Sequence, residues 1–215
     1  SLDNSLGSTN QGINFWYQWF SLNEIKHYQT IEELDPKKLS RMKDVVYGLS
    51  NRYHKPFVFK ELSLGQKIPI INANFPNAKF IIIKRDLAYV AQSIHHAMTK
   101  LKVSPGQMWG GQFNGYEKFL SLPKNKMIAH QVVGIENGIL KGLKEVSKDR
   151  VLTVSYKELC LDTESVLEKM HSFTNSQVLN TSNTRERINF SEKITLPEKE
   201  FKTIRTEIER LTGLR

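Results

Sequence analysis

Apolar positions along the chain fall into blocks of two periods, and the blocks alternate. Asp35-Pro36 followed by Leu39, Met42, Val46, Leu49 and Tyr53 is a cap, a first-turn proline and an apolar stripe at three- to four-residue spacing, which predicts a helix. Phe57-Val58-Phe59 is a short apolar run that predicts a strand. Leu64, Ile68 and Ile71 predict a helix that stops before Phe75-Pro76, because a residue preceding proline is pushed out of helical geometry. Asn77 supplies a turn, and Lys79-Phe80-Ile81-Ile82-Ile83 is β-branched and apolar on both faces, as a strand buried inside a parallel sheet would be.

Residues 87–101 predict a helix with Val90, Ile94, Ala97 and Leu101 on one side, and the Gly-containing stretch Val103 to Gly115 predicts a loop. A longer helix is expected from Lys124 to Val146 through Ile128, Val132, Ile135, Ile139 and Leu143, before a strand at Arg150-Val151-Leu152-Thr153-Val154. Asp162 caps a further helix ending near Phe173, and Asn175 to Ser191 is polar and irregular. Thr195-Leu196-Pro197-Glu198 has capping-box spacing at the start of a last helix, which Gly213 closes.

Strands alternating with helices of this length require parallel crossovers, hence a three-layer α/β/α domain with a central parallel sheet. Ligands in such sheets sit beyond the carboxyl ends of the strands. Lys60, Arg85 and Tyr156 follow three predicted strands, so they can converge on one crevice.

The 215 residues fit a single domain, 1–215. No apolar run approaches the ~20 residues of a spanning helix, and Ser1 to Gly12 does not have the form of a secretory signal. A single cysteine, Cys160, excludes an intramolecular disulfide framework and sets a reduced, cytoplasmic environment as the default. A net charge of +9 favours anionic partners. No Arg-rich run interleaved with aromatics and no zinc-ligand spacing accompany that charge, which argues against a nucleic-acid module and against a metal site.

The most specific chemical signal is Phe75-Pro76-Asn77-Ala78-Lys79-Phe80-Ile81-Ile82-Ile83-Lys84-Arg85-Asp86 with Ser93 eight residues after Arg85. A guanidinium fork matches two phosphate oxygens and a hydroxyl donates to a third; the competing reading is a surface Arg85–Asp86 ion pair and a solvated serine. This segment resembles the 3′-phosphate site of the sulfotransferase superfamily, whose members use 3′-phosphoadenosine 5′-phosphosulfate (PAPS). The resemblance covers roughly residues 57 to 172 and implies a P-loop-NTPase-like sulfotransferase fold. It places the cofactor on Arg85 and Ser93, with His96 where the family often has a histidine.

Phe57-Val58-Phe59-Lys60-Glu61 resembles the family's strand that ends in a lysine near the sulfuryl group, which implies a catalytic Lys60. Such a lysine neutralises charge developing on the bridging oxygen and on the transferring group. Thr153-Val154-Ser155-Tyr156-Lys157-Glu158-Leu159 resembles the family's V-x-Y-E-D-L segment, which implies that Tyr156 faces the nucleotide. Two departures stand out. No apolar strand precedes Gly7-Ser8-Thr9, so residues 1–12 offer no counterpart of the family's phosphate-cradling loop, which is either truncated, disordered or absent, and Leu62 stands where cytosolic relatives have a histidine base. Glu61 is the candidate base in its place, with His27 and His54 in less defined segments.

Arg185 and Arg187 lie where cytosolic relatives close a loop over the 3′-phosphate, without the Arg-Lys-Gly motif. Trp109, in a Gly-rich loop, fits either an acceptor pocket or a core anchor. The resemblance thus implies sulfuryl transfer from PAPS, with 3′-phosphoadenosine 5′-phosphate as product, to a hydroxyl or amine acceptor such as an acidic glycan or a small molecule. The alternative is a non-catalytic nucleotide- or polyanion-binding module on the same scaffold. A kinase-like reading has no G-x4-G-K-[ST] to support it.

Overall fold

A computed structural model describes residues 13–20, 29–54, 57–60, 62–176 and 188–213. Helix α1 (Ile13–Tyr17) is followed by α2 (Pro36–Tyr53), which starts where the Asp35-Pro36 pair predicts: the Asp35 carboxylate accepts from the Lys37 amide at 2.9 Å. A 3-10 segment (Leu62–Lys67) leads into α3 (Ile68–Asn74) and then strand β1 (Phe80–Lys84). Next come α4 (Leu87–Lys100), α5 (Lys124–Leu143) and β2 (Val151–Ser155), and the described chain ends with α6 (Tyr156–Leu161), α7 (Thr163–Thr174) and α8 (Glu198–Thr212).

The two strands pair in parallel with Phe80 opposite Val151 and Lys84 opposite Ser155. Arg150 sets that register. Its guanidinium donates to the carbonyls of Pro76 and Ala78 and to Asn72, gripping the turn before β1 from the residue before β2. A mixed helix and strand chain with a small parallel sheet agrees with the α/β class.

Three expectations are corrected. Residues 57–60 form no strand, and Val58 is 84% exposed. Phe59 instead stacks on Phe15 at 5.4 Å and meets Trp16 edge-on at 4.7 Å, so ring contacts rather than a ladder hold the segment. Secondly, β1 is not buried on both faces: Phe80 to Ile82 are half-buried and Ile83 is 51% exposed. Among the described residues β1 pairs with β2 alone, which leaves these side chains partly uncovered.

Thirdly, no capping box opens α8. Its first turn follows Pro197 without a side-chain cap, and the two Thr195 groups a box would use are taken by α4: the amide donates to Gln92 and the hydroxyl bonds His96, both at 2.8 Å.

One core joins α4, α5 and α8 through Ala88, Ala91, Met98, Ile128, Val132, Phe201 and Ile204. The large residues of the α4 stripe, Val90 and Ile94, only flank this core, while Ala88 and Ala91 are at its centre. Small side chains at Ala88 and Ala91 allow close helix approach, while Gln92 and Met98 fill the rest of the buried face. Gly134 on α5 makes room for the Phe113 ring of the α4–α5 connection, since a Cβ there would lie 2.5 Å from it. His95 on α4 and His130 on α5 tie to Glu200 and Glu207 of α8 at 3.1 and 3.3 Å, and burial holds both imidazoles below the usual histidine pKa.

A second core gathers Trp16, Trp19, Phe20, Leu34, Met42, Ile70, Ile71 and Phe75 around α2 and α3. No helix among the described residues is long and apolar enough to cross a membrane.

Candidate functional site

Because Lys84 pairs with Ser155, the next residues, Arg85 and Tyr156, leave the two strands side by side. The Arg85 guanidinium lies over the Tyr156 ring at 4.7 Å, a cation–π contact that fixes the fork's plane. Tyr156 is the first residue of α6, not a strand residue: Ser155 caps that helix by accepting from the amides of Lys157 and Glu158. Tyr156 is also close to Cys160 one turn on; that hydrogen bond, with burial, raises the phenol's pKa against the opposing pull of Arg85. The phenol therefore stays protonated at neutral pH.

The Arg85–Asp86 ion pair does not form among the described residues. Asp86 caps α4, accepting from the Ala88 amide at 2.8 Å, and its other oxygen meets Arg205 of α8 at 3.5 Å. Arg205 itself rests over Phe201 at 5.2 Å. Arg85 is thus a half-buried cation without a carboxylate partner among the described residues. Its Nη2 donates to the Ser191 carbonyl at 2.9 Å, and its Nε is closed from solvent with no partner.

A strap formed by residues 188–196 covers this end of α4. Gln92, buried in the second turn of α4, donates to the Lys193 carbonyl at 3.0 Å and accepts from Thr195 and Leu196. His96 shares a hydrogen bond with the Thr195 hydroxyl at 2.8 Å. Phe190 approaches Tyr156 at 6.1 Å between ring centres.

Gln92 and His96 are one turn apart on α4 and meet the strap side by side, from Lys193 to Leu196. Sequence reading missed Gln92, Phe190 and Ser191; for Gln92 the available signal was its place one helical turn before His96.

The predicted residues are brought together only in part. Arg85 and Tyr156 are in contact. Ser93 is exposed in the second turn of α4, with its hydroxyl turned to the Tyr89 carbonyl at 3.0 Å. Lys60 is exposed, and among the described residues no hydrogen bond, ion pair or ring contact ties it to Arg85, Ser93 or Tyr156. Glu61, His27, Arg185, Arg187 and Gly7 to Thr9 lie outside the described residues. Among the described residues no three or more His, Cys, Asp or Glu side chains gather as a metal site.

A half-buried guanidinium, braced on an aromatic ring at the carboxyl ends of parallel strands and unpaired with any described carboxylate, is suited to an anion. The family comparison agrees with the sequence resemblance: the model of the Sulfotransferase family matches residues 13–178, more than half of the chain. The chain belongs to the sulfotransferase family. No curated protein and no solved structure matches it.

Proposed function

We propose that the protein transfers a sulfuryl group from PAPS to a hydroxyl or amine acceptor, on a three-layer α/β/α frame around the β1–β2 pair. The carrying observation is Arg85: Asp86 caps α4 and pairs with Arg205, leaving the Arg85 fork to a Tyr156 ring and one backbone carbonyl. A 3′-phosphate fits such a group, since its charged oxygens can replace the neutral Ser191 carbonyl at Nη2 and, once that contact opens, reach the Nε that is now closed from solvent. Ser93, two turns along α4, adds a hydroxyl once it turns from the Tyr89 carbonyl. Tyr156 keeps the fork in plane.

Bound there, PAPS supplies the sulfuryl group and leaves as 3′-phosphoadenosine 5′-phosphate. Lys60 is assigned the charge-neutralising role at the bridging oxygen, which electrostatic stabilisation of a displacement requires. Glu61 is assigned the acceptor's proton. Acceptors of acidic-glycan or small-molecule type suit the +9 chain.

The test is transfer of radiolabelled sulfate from PAPS to a panel of glycan, phenol and amine acceptors. Lys60→Ala is expected to lower turnover by about a hundredfold while nucleotide affinity changes little. A second reading, a non-catalytic nucleotide- or polyanion-binding module, is favoured by the lack of any contact between Lys60 and the Arg85–Tyr156 pair among the described residues. Nucleotide binding without transfer to any acceptor, unchanged by Lys60→Ala, would select it.

A further inference from the structure

Helix α8 is fastened to the rest of the fold by histidines from two different helices. His95 of α4 meets Glu200 at 3.1 Å, and His130 of α5 meets Glu207, two turns further along α8, at 3.3 Å. Both imidazoles are largely covered, their side chains 13% and 14% exposed. A third tie, Arg205 to Asp86, involves no histidine.

A carboxylate can only accept, so Nε2 of each neutral ring carries the proton and already makes these contacts. A second proton would go to Nδ1. In His95 that atom is closed from solvent and has no hydrogen-bond partner among the described residues, so protonation creates a buried, charged N–H with nothing to accept it. Two neighbours also oppose a positive ring: Lys124 of α5, which reaches the Thr99 hydroxyl at 2.7 Å, and the adjoining His96.

His130 reaches the same outcome by another route. Its partner Glu207 is already held by Arg210, whose Nη2 donates at 2.6 Å to the same oxygen that His130 meets and whose Nε donates to the other at 3.3 Å. A protonated ring would compete with that guanidinium, and Lys126 adds to the repulsion. The ring face is meanwhile stacked on Phe119 at 4.2 Å. Burial, the largest influence on both rings, holds them below the usual histidine pKa, and the two glutamates offset it only in part.

The strap is continuous with this helix. Leu196 belongs to the core that α8 shares with α4 and α5, Thr195 bonds His96 beside His95, and Ser191 holds Arg85. We propose that acid loosens α8 and the strap together, so that the Arg85 fork leaves the Ser191 carbonyl more often in acid than at neutral pH. The folded state favours the neutral rings, so their contribution to docking is complete above about pH 6.5 and is lost as the pH falls below it. Phe201, Ile204 and Ile208 stay packed in the core, so the change is a local opening and not a separation. The device depends on these contacts and not on sulfuryl transfer.

The experiment is hydrogen exchange of the full chain, followed by NMR at about pH 7.5 and about pH 5.5 and corrected for the intrinsic rate at each. Protection of the Leu196 amide, of the α8 amides of residues 201–211 and of the Arg85 Nε–H should fall by about tenfold or more in acid, while the β1–β2 amides keep theirs. His95→Gln with His130→Gln leaves a donor for each carboxylate and removes the titration, so this double variant should hold its α8 protection at both pH values. Carbon-13 titration of the wild-type imidazoles carries the test if that variant fails to fold: both rings should titrate below the ordinary histidine value. Undiminished α8 protection in acid, a fall that leaves the Arg85 Nε–H unchanged, a fall shared equally by β1 and β2 or by the double variant, or rings that titrate at or above the ordinary value would overturn the proposal.

Discussion

Arg85 and Lys60 each follow an apolar run that the sequence marks as a strand, yet the structure treats the two runs differently. Phe80–Lys84 finds a parallel partner in β2, and Arg150 clamps the start of both strands, so Arg85 emerges beside Tyr156 at a fixed register. Phe57–Lys60 has no ladder among the described residues; Phe59 binds rings of α1 and Val58 points into solvent. An apolar run becomes a strand only where a neighbouring backbone is available to pair with it. The difference separates a positioned cation from one at the end of an unpaired segment.

The sharpest way to break this contrast is at the clamp. Arg150→Met removes the bonds to Asn72, Pro76 and Ala78 and should cost about 2–3 kcal/mol, read as a fall of about 4–12 °C in the melting temperature. A fall this large, accompanied by loss of the Arg85–Tyr156 contact, would tie the site's geometry to the strand register. No fall would mean that the register is set elsewhere.

A smaller and local effect is expected at the strap. Gln92→Leu removes three hydrogen bonds to residues 193–196 and should cost about 1–2 kcal/mol. Hydrogen exchange at the Thr195 and Leu196 amides should accelerate by about tenfold or more, while the β1–β2 amides stay protected. Equal acceleration in both places would show that strap and sheet open as one unit. The smallest effect belongs to the other region: Val58→Ser should change stability by less than about 0.5 kcal/mol, measured by denaturant unfolding. A loss comparable to that of Arg150→Met would place Val58 in a packed sheet and cancel the contrast.

Legibility in the sequence followed the same line. Elements announced by local chemistry were readable: Asp35-Pro36 starts α2, the isoleucine run makes β1, Asp162 caps α7 through the Ser165 amide, and Gly213 ends α8 with φ +70. Features that depend on distant partners were not. Phe57 to Phe59 read as a strand because composition does not show what is available to pair. Thr195 read as a capping residue because nothing local marks Gln92, 103 positions away, as the competitor for its amide.

At the site, Arg85 and Tyr156 were legible as residues that follow strands. That Asp86 would turn from Arg85 to Arg205 depends on where α8 packs, a tertiary fact. Ser155 as the cap of α6 was available locally, yet Tyr156 was placed by its strand and not by the short helix it begins.

The central claim is that Arg85 is held ready for a 3′-phosphate. Calorimetric titration of wild type and Arg85→Ala with 3′-phosphoadenosine 5′-phosphate, and with AMP as the control, tests it most directly. The account predicts that the 3′-phosphorylated nucleotide binds wild type in preference to AMP. Arg85→Ala should weaken that binding by about a hundredfold, equivalent to about 2.7 kcal/mol, and leave AMP binding nearly unchanged. Equal affinity for the two nucleotides, or an Arg85→Ala protein that binds the 3′-phosphorylated nucleotide as wild type does, would contradict it.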